Sequence, residues 1–417
     1  MKLKEPQEPR AQRRFPDVRR LFSTVACAVA AAVSAHSVQA DEFDTLNLVL
    51  STSITRDSNL FRLSDSADPQ AVLGTSRKSD TVVVSALTLR VDKSISLQRF
   101  QLEVSETIYR YDNFSFLNFD ALEYRGVWLW SLTPRIKGTL GADRRKSLVP
   151  FGDIRAAQQN LRVADRIYAT LEAQVTGGWH ALAGLSQFEQ KDSRPALSPE
   201  PSYDAVSAEA GVKYLASPGR SVALIQRRID GDYKNTLDTA NLIDDAFHEN
   251  QSEVVADWLA TGKSTVRARL ARIDRRHAHF QQRDYDAWVG EANYLWSPTG
   301  KSRFAFAVKR DVSPWWEQGA SYRVSDTISA SYTWQLAHRT ALLIQADRTE
   351  RDYRGPVIAT AGPQREDEER SAQLGVNWTP MRSLVLNASV QRYTRSSNVA
   401  GDDYDANVAN VSAAFTF

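Results

Sequence analysis

From residue 43 onward, apolar and polar side chains alternate with a period of two, the pattern of strands whose two faces meet different surroundings. In 303–310, Phe304, Phe306 and Val308 fall on one face, and Arg303, Ala305, Ala307 and Lys309 on the other. In 327–336, Ile328, Ala330, Tyr332, Trp334 and Leu336 oppose Thr327, Ser329, Ser331, Thr333 and Gln335. In 98–108, Phe100, Leu102, Val104 and Ile108 oppose Arg99, Gln101, Glu103, Ser105 and Thr107. A unit of roughly 40 residues recurs, each copy a strand ending in an aromatic, a short turn and a second alternating strand. It is visible at 129–145, 213–228, 257–272, 294–310, 332–348 and 376–392. Pro and Gly in SPGR, SPTG and TPMR mark the turns, which predicts tight hairpins.

Longer polar segments separate the hairpins: 56–79, 146–165, 190–203, 231–250, 311–320 and 350–369. They read as loops and include the charged run Arg365–Arg370. Short turns on one side and long loops on the other is the asymmetry of membrane barrels. Trp130, Tyr214, Trp258, Trp296, Trp334 and Trp378 all stand just before a short turn. That places a belt of rings at one membrane interface. A soluble sandwich also alternates, but has no reason to end its strands in tryptophan.

The pattern therefore predicts an all-β fold: a transmembrane, antiparallel, up-and-down β-barrel of about eighteen strands, running from 43–55 to 404–417. Sixteen is the alternative count, because 165–190 is the least regular stretch. An even number puts both termini on the short-turn side. Val411, Ala413, Phe415 and Phe417 alternate to the end, and Phe417 is the expected signal to the barrel-insertion machinery. The first and last strands must pair, since unpaired backbone cannot sit in hydrocarbon.

Residues 1–40 read as a signal peptide and 41–417 as the barrel. A basic segment with Lys2, Lys4, Arg10, Arg13, Arg14, Arg19 and Arg20 precedes the apolar run 21–35, and Val38-Gln39-Ala40 sets cleavage after Ala40. The leader holds seven of the Lys/Arg and three acids, so the remainder falls from +2 to −2. No charge argument for nucleic acid survives. The single cysteine, Cys27, lies in the leader, which leaves 41–417 without disulfides or thiolate ligands. The chain is 42% hydrophobic, with a mean hydropathy of −0.42. That is compatible with a barrel whose strands show lipid only every second residue.

No catalytic constellation stands out: there is no Gly-x-Ser-x-Gly elbow and no Walker loop. The expectation is a non-enzyme without cofactors. Of the histidines His180, His248, His277, His279 and His338, only His277 and His279 are spaced as ligands would be. With no third ligand marked, they read as part of a solvated loop.

The predicted inward face is polar and mixed in charge. Pore-lining candidates are Arg99, Glu103, Tyr109, Glu123, Arg125, Arg135, Lys137, Asp143, Glu172, Lys213, Asp257, Arg267, Arg269, Glu291, Arg303 and Lys309, with Glu209 and Tyr111 in the same register. Such charges either pair across strands or offer a hydrated path to a polar solute.

After the first strand comes RDSNLFRLSD (56–65). With the leader, the strand pattern and Phe417, this segment resembles the EpsL-type outer-membrane proteins associated with exopolysaccharide biosynthesis and the exosortase B system. The quotable motif is about ten residues, around Asp57, Asn59, Leu60, Phe61 and Arg62. The resemblance implies residence in the outer membrane among its lipids and export of a polysaccharide substrate through the lumen, with periplasmic polysaccharide-export proteins as partners. Read from the residues alone, Leu60 and Phe61 either fold inward as a clasp or pack on the rim. The alternatives are a diffusion porin for small polar solutes, or a structural or adhesive barrel with a plugged lumen.

Overall fold

The computed structural model describes residues 45–153, 157–198, 200–234, 244–317, 319–357 and 363–417. The expected leader, with Cys27, lies outside the described residues. Eighteen strands form one sheet: β1 (Leu46–Asp57), β2 (Asp80–Ile95), β3 (Gln98–Tyr111), β4 (Phe119–Thr133), β5 (Ile136–Leu148), β6 (Leu161–Thr176), β7 (Trp179–Asp192), β8 (Tyr203–Ser217), β9 (Arg220–Tyr233), β10 (Ala246–Thr261), β11 (Ser264–His277), β12 (Tyr285–Thr299), β13 (Ser302–Glu317), β14 (Ala320–Ala337), β15 (Thr340–Arg354), β16 (Glu366–Met381), β17 (Leu384–Ser397) and β18 (Tyr404–Thr416). Each strand pairs antiparallel with its chain neighbours. β1 closes the ring on β18, from Val49 opposite Thr416 to Asp57 opposite Val408. The amide of Phe417 donates to the Leu48 carbonyl at 2.8 Å, fastening the end of the chain to its first strand.

The short-side hairpins are as tight as the Pro/Gly punctuation predicts. In β2–β3, Ile95 faces Gln98 across two residues, and Ser96 takes a φ of 55° to turn the chain. In the other seven short hairpins the register slips next to the turn, as between Ser131 and Thr133. Such bulges sharpen the local twist at a barrel rim.

The two faces differ as the alternation requires. Outward, Ile328 and Val411 are 62% and 60% exposed, so this apolar surface is left uncovered by the rest of the chain, as a lipid-facing wall requires. At its lower edge Tyr214, Trp258, Trp296, Trp334 and Trp378 all stand exposed. Inward, hydroxyl pairs link neighbouring strands: Thr88 with Ser105 at 2.9 Å, and Thr327 with Thr349 at 3.0 Å.

Three expectations need correction. The stretch 165–190 is not irregular; it is most of β6 and β7. The run Arg365–Arg370 belongs to β16 from Glu366 onward, and 311–320 is the tip of the β13–β14 hairpin, with Glu317 opposite Ala320. The reason is common to the last two. On β15 the outward positions change from Leu342, Ile344 and Ala346 to Arg348, Glu350, Asp352 and Arg354. The wall has left the hydrocarbon but stays paired. There both faces meet water, so charge no longer separates strand from loop.

Above the apolar zone the wall also parts. The β12–β13 ladder stops at Gly290 opposite Arg310, whereas β11–β12 continues to Tyr285 and β13–β14 to Glu317. Val312 and Tyr322 have outward parity, yet they pack on the inward-facing cluster of Ala271, Ile273, Tyr285 and Val289. The Tyr285 and Tyr322 rings lie 4.8 Å apart, and Trp316 sits 4.7 Å from the inward Tyr233. The tip of the β13–β14 hairpin has curled into the lumen and lies against the inner face of β9–β12.

Candidate functional site

The upper lumen is narrowed from both sides. On one side, the β1–β2, β3–β4 and β5–β6 loops share a core of Phe61, Phe114, Leu117 and Phe151. The Phe61 ring lies 4.8 Å from Phe114, edge to face, and 4.4 Å from Phe151. The residues around Phe61 explain why it points there. Asp57 accepts from the Asn59 amide at 2.9 Å and pairs with Arg62 at 2.8 Å. The Asn59 side chain accepts from the Leu63 amide and donates to the Asp405 carbonyl on β18. Arg62 adopts a φ of 54°, which reverses the chain, and Leu60 packs against the shared core. At the base of the next loop, fully buried Asp80 accepts from the amides of Asn113 and Phe114.

This loop core reaches the opposite side through 149–153. Asp153 meets Arg323 on the inturned β13–β14 hairpin at 2.9 Å. The Gly152 carbonyl accepts from Arg395 on β17 at 2.8 Å. A Cβ at Gly152 would stand 3.1 Å from the Arg395 guanidinium, so the approach is close enough to favour glycine. Arg395 is itself held by Glu369, which also takes Arg351 at 2.8 Å and the Tyr404 hydroxyl at 3.0 Å.

Below this mouth, the ladders place Arg99, Glu103, Tyr109, Glu123, Arg125, Lys137, Asp143, Glu172, Lys213, Asp257, Arg267, Arg269, Glu291, Arg303 and Lys309 on the lumen face. Arg135 is different: it occupies the β4–β5 turn, because the alternation was extended through a two-residue connection. Many of these charges pair along the wall. Glu172 is a hub, with Lys213 at 2.5 Å, His180 at 3.0 Å and Lys137 at 3.7 Å. Glu103 binds Arg90 at 2.9 Å, Arg99 binds Asp92 at 2.7 Å, and Arg269 binds Glu253 at 2.6 Å. Tyr109 stacks on Phe119 at 4.3 Å, so one face of its ring is taken.

Sequence reasoning passed over Arg166, Arg227 and Glu253, which share the lumen parity and could have been read from it. Arg323 on β14 and Arg395 on β17 share that parity as well. Asp153 had no such signal, because period two does not tell which loop folds inward.

His277 and His279 do not act as a pair. His277 ends β11 and is buried beside Tyr233 and Trp316, contrary to the solvated-loop reading. His279 is exposed and lies 3.1 Å from both Asp244 and Asp245. These three are close enough to share a metal ion. However, Asp244 already accepts from the amides of His279 and Phe280 at 2.8 Å each, and its role in this geometry is to tie the loop.

A closed eighteen-strand wall, apolar with a tryptophan belt outside and charged inside, defines a porin-like, membrane-spanning β-barrel. Residues 274–417 match the family described as "Putative beta-barrel porin 2". No curated protein matches the sequence. Among solved structures, OccK2 (OpdF) and OccK9 (OpdG) of Pseudomonas aeruginosa each superpose with a TM-score of 0.51 at 12% identity, covering 89% of this chain and 98% of theirs. At that identity the likeness is one of fold.

Proposed function

We propose that the protein is an outer-membrane channel through which small polar solutes diffuse, delivered there by a leader cleaved after Ala40 and inserted with the help of Phe417. The observation that carries this reading is the lumen: a charged, hydroxylated wall narrowed at its upper mouth by the Asp153–Arg323 and Gly152–Arg395 contacts. Such a path exchanges hydrogen bonds with a hydrated solute and meters it by size. The lumen-face charges named above would set its preference among solutes. The match of residues 274–417 to a porin family points the same way.

Export of an exopolysaccharide, aided by periplasmic export proteins, is the second reading. It draws on the 56–65 segment, whose Asn59, Phe61 and Arg62 build the inturned loop core. A mouth spanned by packed loops suits small solutes better than a continuous polymer. Liposome swelling with sugars of graded size separates the two readings. Graded entry of mono- and disaccharides supports the porin. Exclusion of all of them, with loss of secreted polysaccharide in a deletion strain, would replace it with the exporter.

A further inference from the structure

The lumen wall between β6 and β11 contains a cavity of about 560 Å³. Four arginines line it, Arg166, Arg227, Arg269 and Arg275, against two glutamates, Glu209 and Glu253. Three of the four are engaged. Arg227 donates to Glu209 at 2.8 Å and to Gln251 at 3.0 Å. Arg269 donates to Glu253 at 2.8 Å, and Arg275 to Glu249 at 2.6 Å.

Arg166 stands apart. It is exposed to the cavity, and its guanidinium lies 4.7 Å from the Tyr168 ring centroid. Asp143 is its ladder partner, yet among the described residues no carboxylate lies within ion-pair distance of it. A guanidinium held against a ring is positioned with little rotational freedom, and its fork of donors is left for an external acceptor.

Beside it runs an aromatic wall. Phe188 lies opposite Arg166 in the ladder and 5.5 Å from Tyr203, which is 5.8 Å from Phe247. Ser186 and Ser207, bonded to each other at 2.7 Å, add hydroxyls to the lining. Among the described residues of the lining, one unpaired cation, a corner of tilted aromatic rings and a pair of hydroxyls fit a solute with one carboxylate on a six-membered ring. A neutral ring would leave the Arg166 donors unmet by charge. A second negative group would face Glu209 and Glu253.

We propose that this cavity is a solute subsite for a ring-bearing monocarboxylate, either a sugar acid or an aromatic acid. The proposal deepens the channel reading and names the solute class on which its lumen acts. Saturation-transfer NMR on the detergent-solubilised protein tests it without needing conductance. Galacturonate or benzoate should show transfer and galactose little. Transfer with galacturonate alone assigns a sugar acid; transfer with benzoate alone assigns an aromatic acid. Arg166→Gln should weaken the interaction by about tenfold, and Arg166→Lys should retain part of it. Equal signals from galactose and galacturonate, or no change in Arg166→Gln, would overturn the subsite. So would silence from both acids. Planar-bilayer recording separates this from the channel reading. An open, salt-conducting pore that neither acid interrupts sinks the subsite alone; a protein that binds the acids but never conducts sinks the channel alone.

Discussion

Asp153 and Arg323, 170 residues apart in sequence, meet at 2.9 Å over the lumen. One comes from the β5–β6 loop and the other from β14, in a hairpin that has parted from β12 but stays paired to β15. Both side chains are largely shielded, at 23% and 16% exposure, so removing one partner leaves the other charge shielded and uncompensated. Arg323→Gln should release this contact while leaving the membrane-spanning ladders intact. The expected readout in planar bilayers is a noisier pore with roughly 1.5-fold higher open conductance. A variant with wild-type noise and conductance would show that the contact does not restrict the mouth.

Phe61 should matter to the loops and not to the barrel. It is 4% exposed within the three-loop core, and truncating a buried phenylalanine costs about 3–5 kcal/mol. Phe61→Ala should therefore make the β1–β2 and β5–β6 loops sensitive to protease, while the folded barrel keeps its heat-dependent gel shift. Loss of the gel shift would place Phe61 in the stability of the wall itself.

Neighbouring residues on β14 provide a test of which face meets lipid. Ile328 points outward and Thr327 into the lumen. An arginine facing mid-bilayer costs about 2–4 kcal/mol. Ile328→Arg should lower folding stability in lipid vesicles by that amount, whereas Thr327→Arg should cost far less. Equal losses would contradict the assignment of faces.

Glu172 balances two lysines and a histidine. Glu172→Gln leaves Lys137 and Lys213 without their shared partner, making the local lumen more positive. In a salt gradient the reversal potential should move toward anion preference by roughly 10 mV. An unchanged potential would mean that ions pass elsewhere in the lumen.

Asp244 supplies a pH dependence. Burial alone pushes its carboxyl up, but the amides of His279 and Phe280 hold it down to about 2. The folded value is thus below the ordinary aspartate value, so the contribution, of order 2 kcal/mol, is fully present above about pH 4 and is lost as pH falls through 2. Hydrogen exchange at the His279 and Phe280 amides, corrected for its intrinsic rate, should be slow at pH 5 and fast near pH 2. Asp244→Asn should exchange fast at both. Slow exchange in that variant at pH 5 would remove Asp244 from the role.

The barrel was legible because lipid imposes a strict rule on every second residue, and the strand from Ile328 to Trp334 obeys it without exception. Where lipid ends the rule ends. That is why Glu368 and Arg370, outward on β16 but in water, read as loop. Arg135 failed for a related reason: a turn of two residues preserves the parity of the strands on either side, so alternation runs through it unmarked. The site was legible by face but not by partner. Glu172 and Lys213 were placed on one wall, yet nothing in their spacing reveals that they touch, because pairing depends on register between separate strands. The inward loops were least legible of all. Asn59 signals a turn, but only the packed position of Phe61 shows which way the turn is thrown.

The parting of β12 from β13 above Gly290 has a mechanical consequence. The hoop of hydrogen bonds is complete where the surroundings are oily and cut on this side where they are wet. Above that cut the hairpin carrying Arg323 is held to the ring through β15 alone, so strain at the mouth loads one ladder and spares the belt that keeps the protein in place.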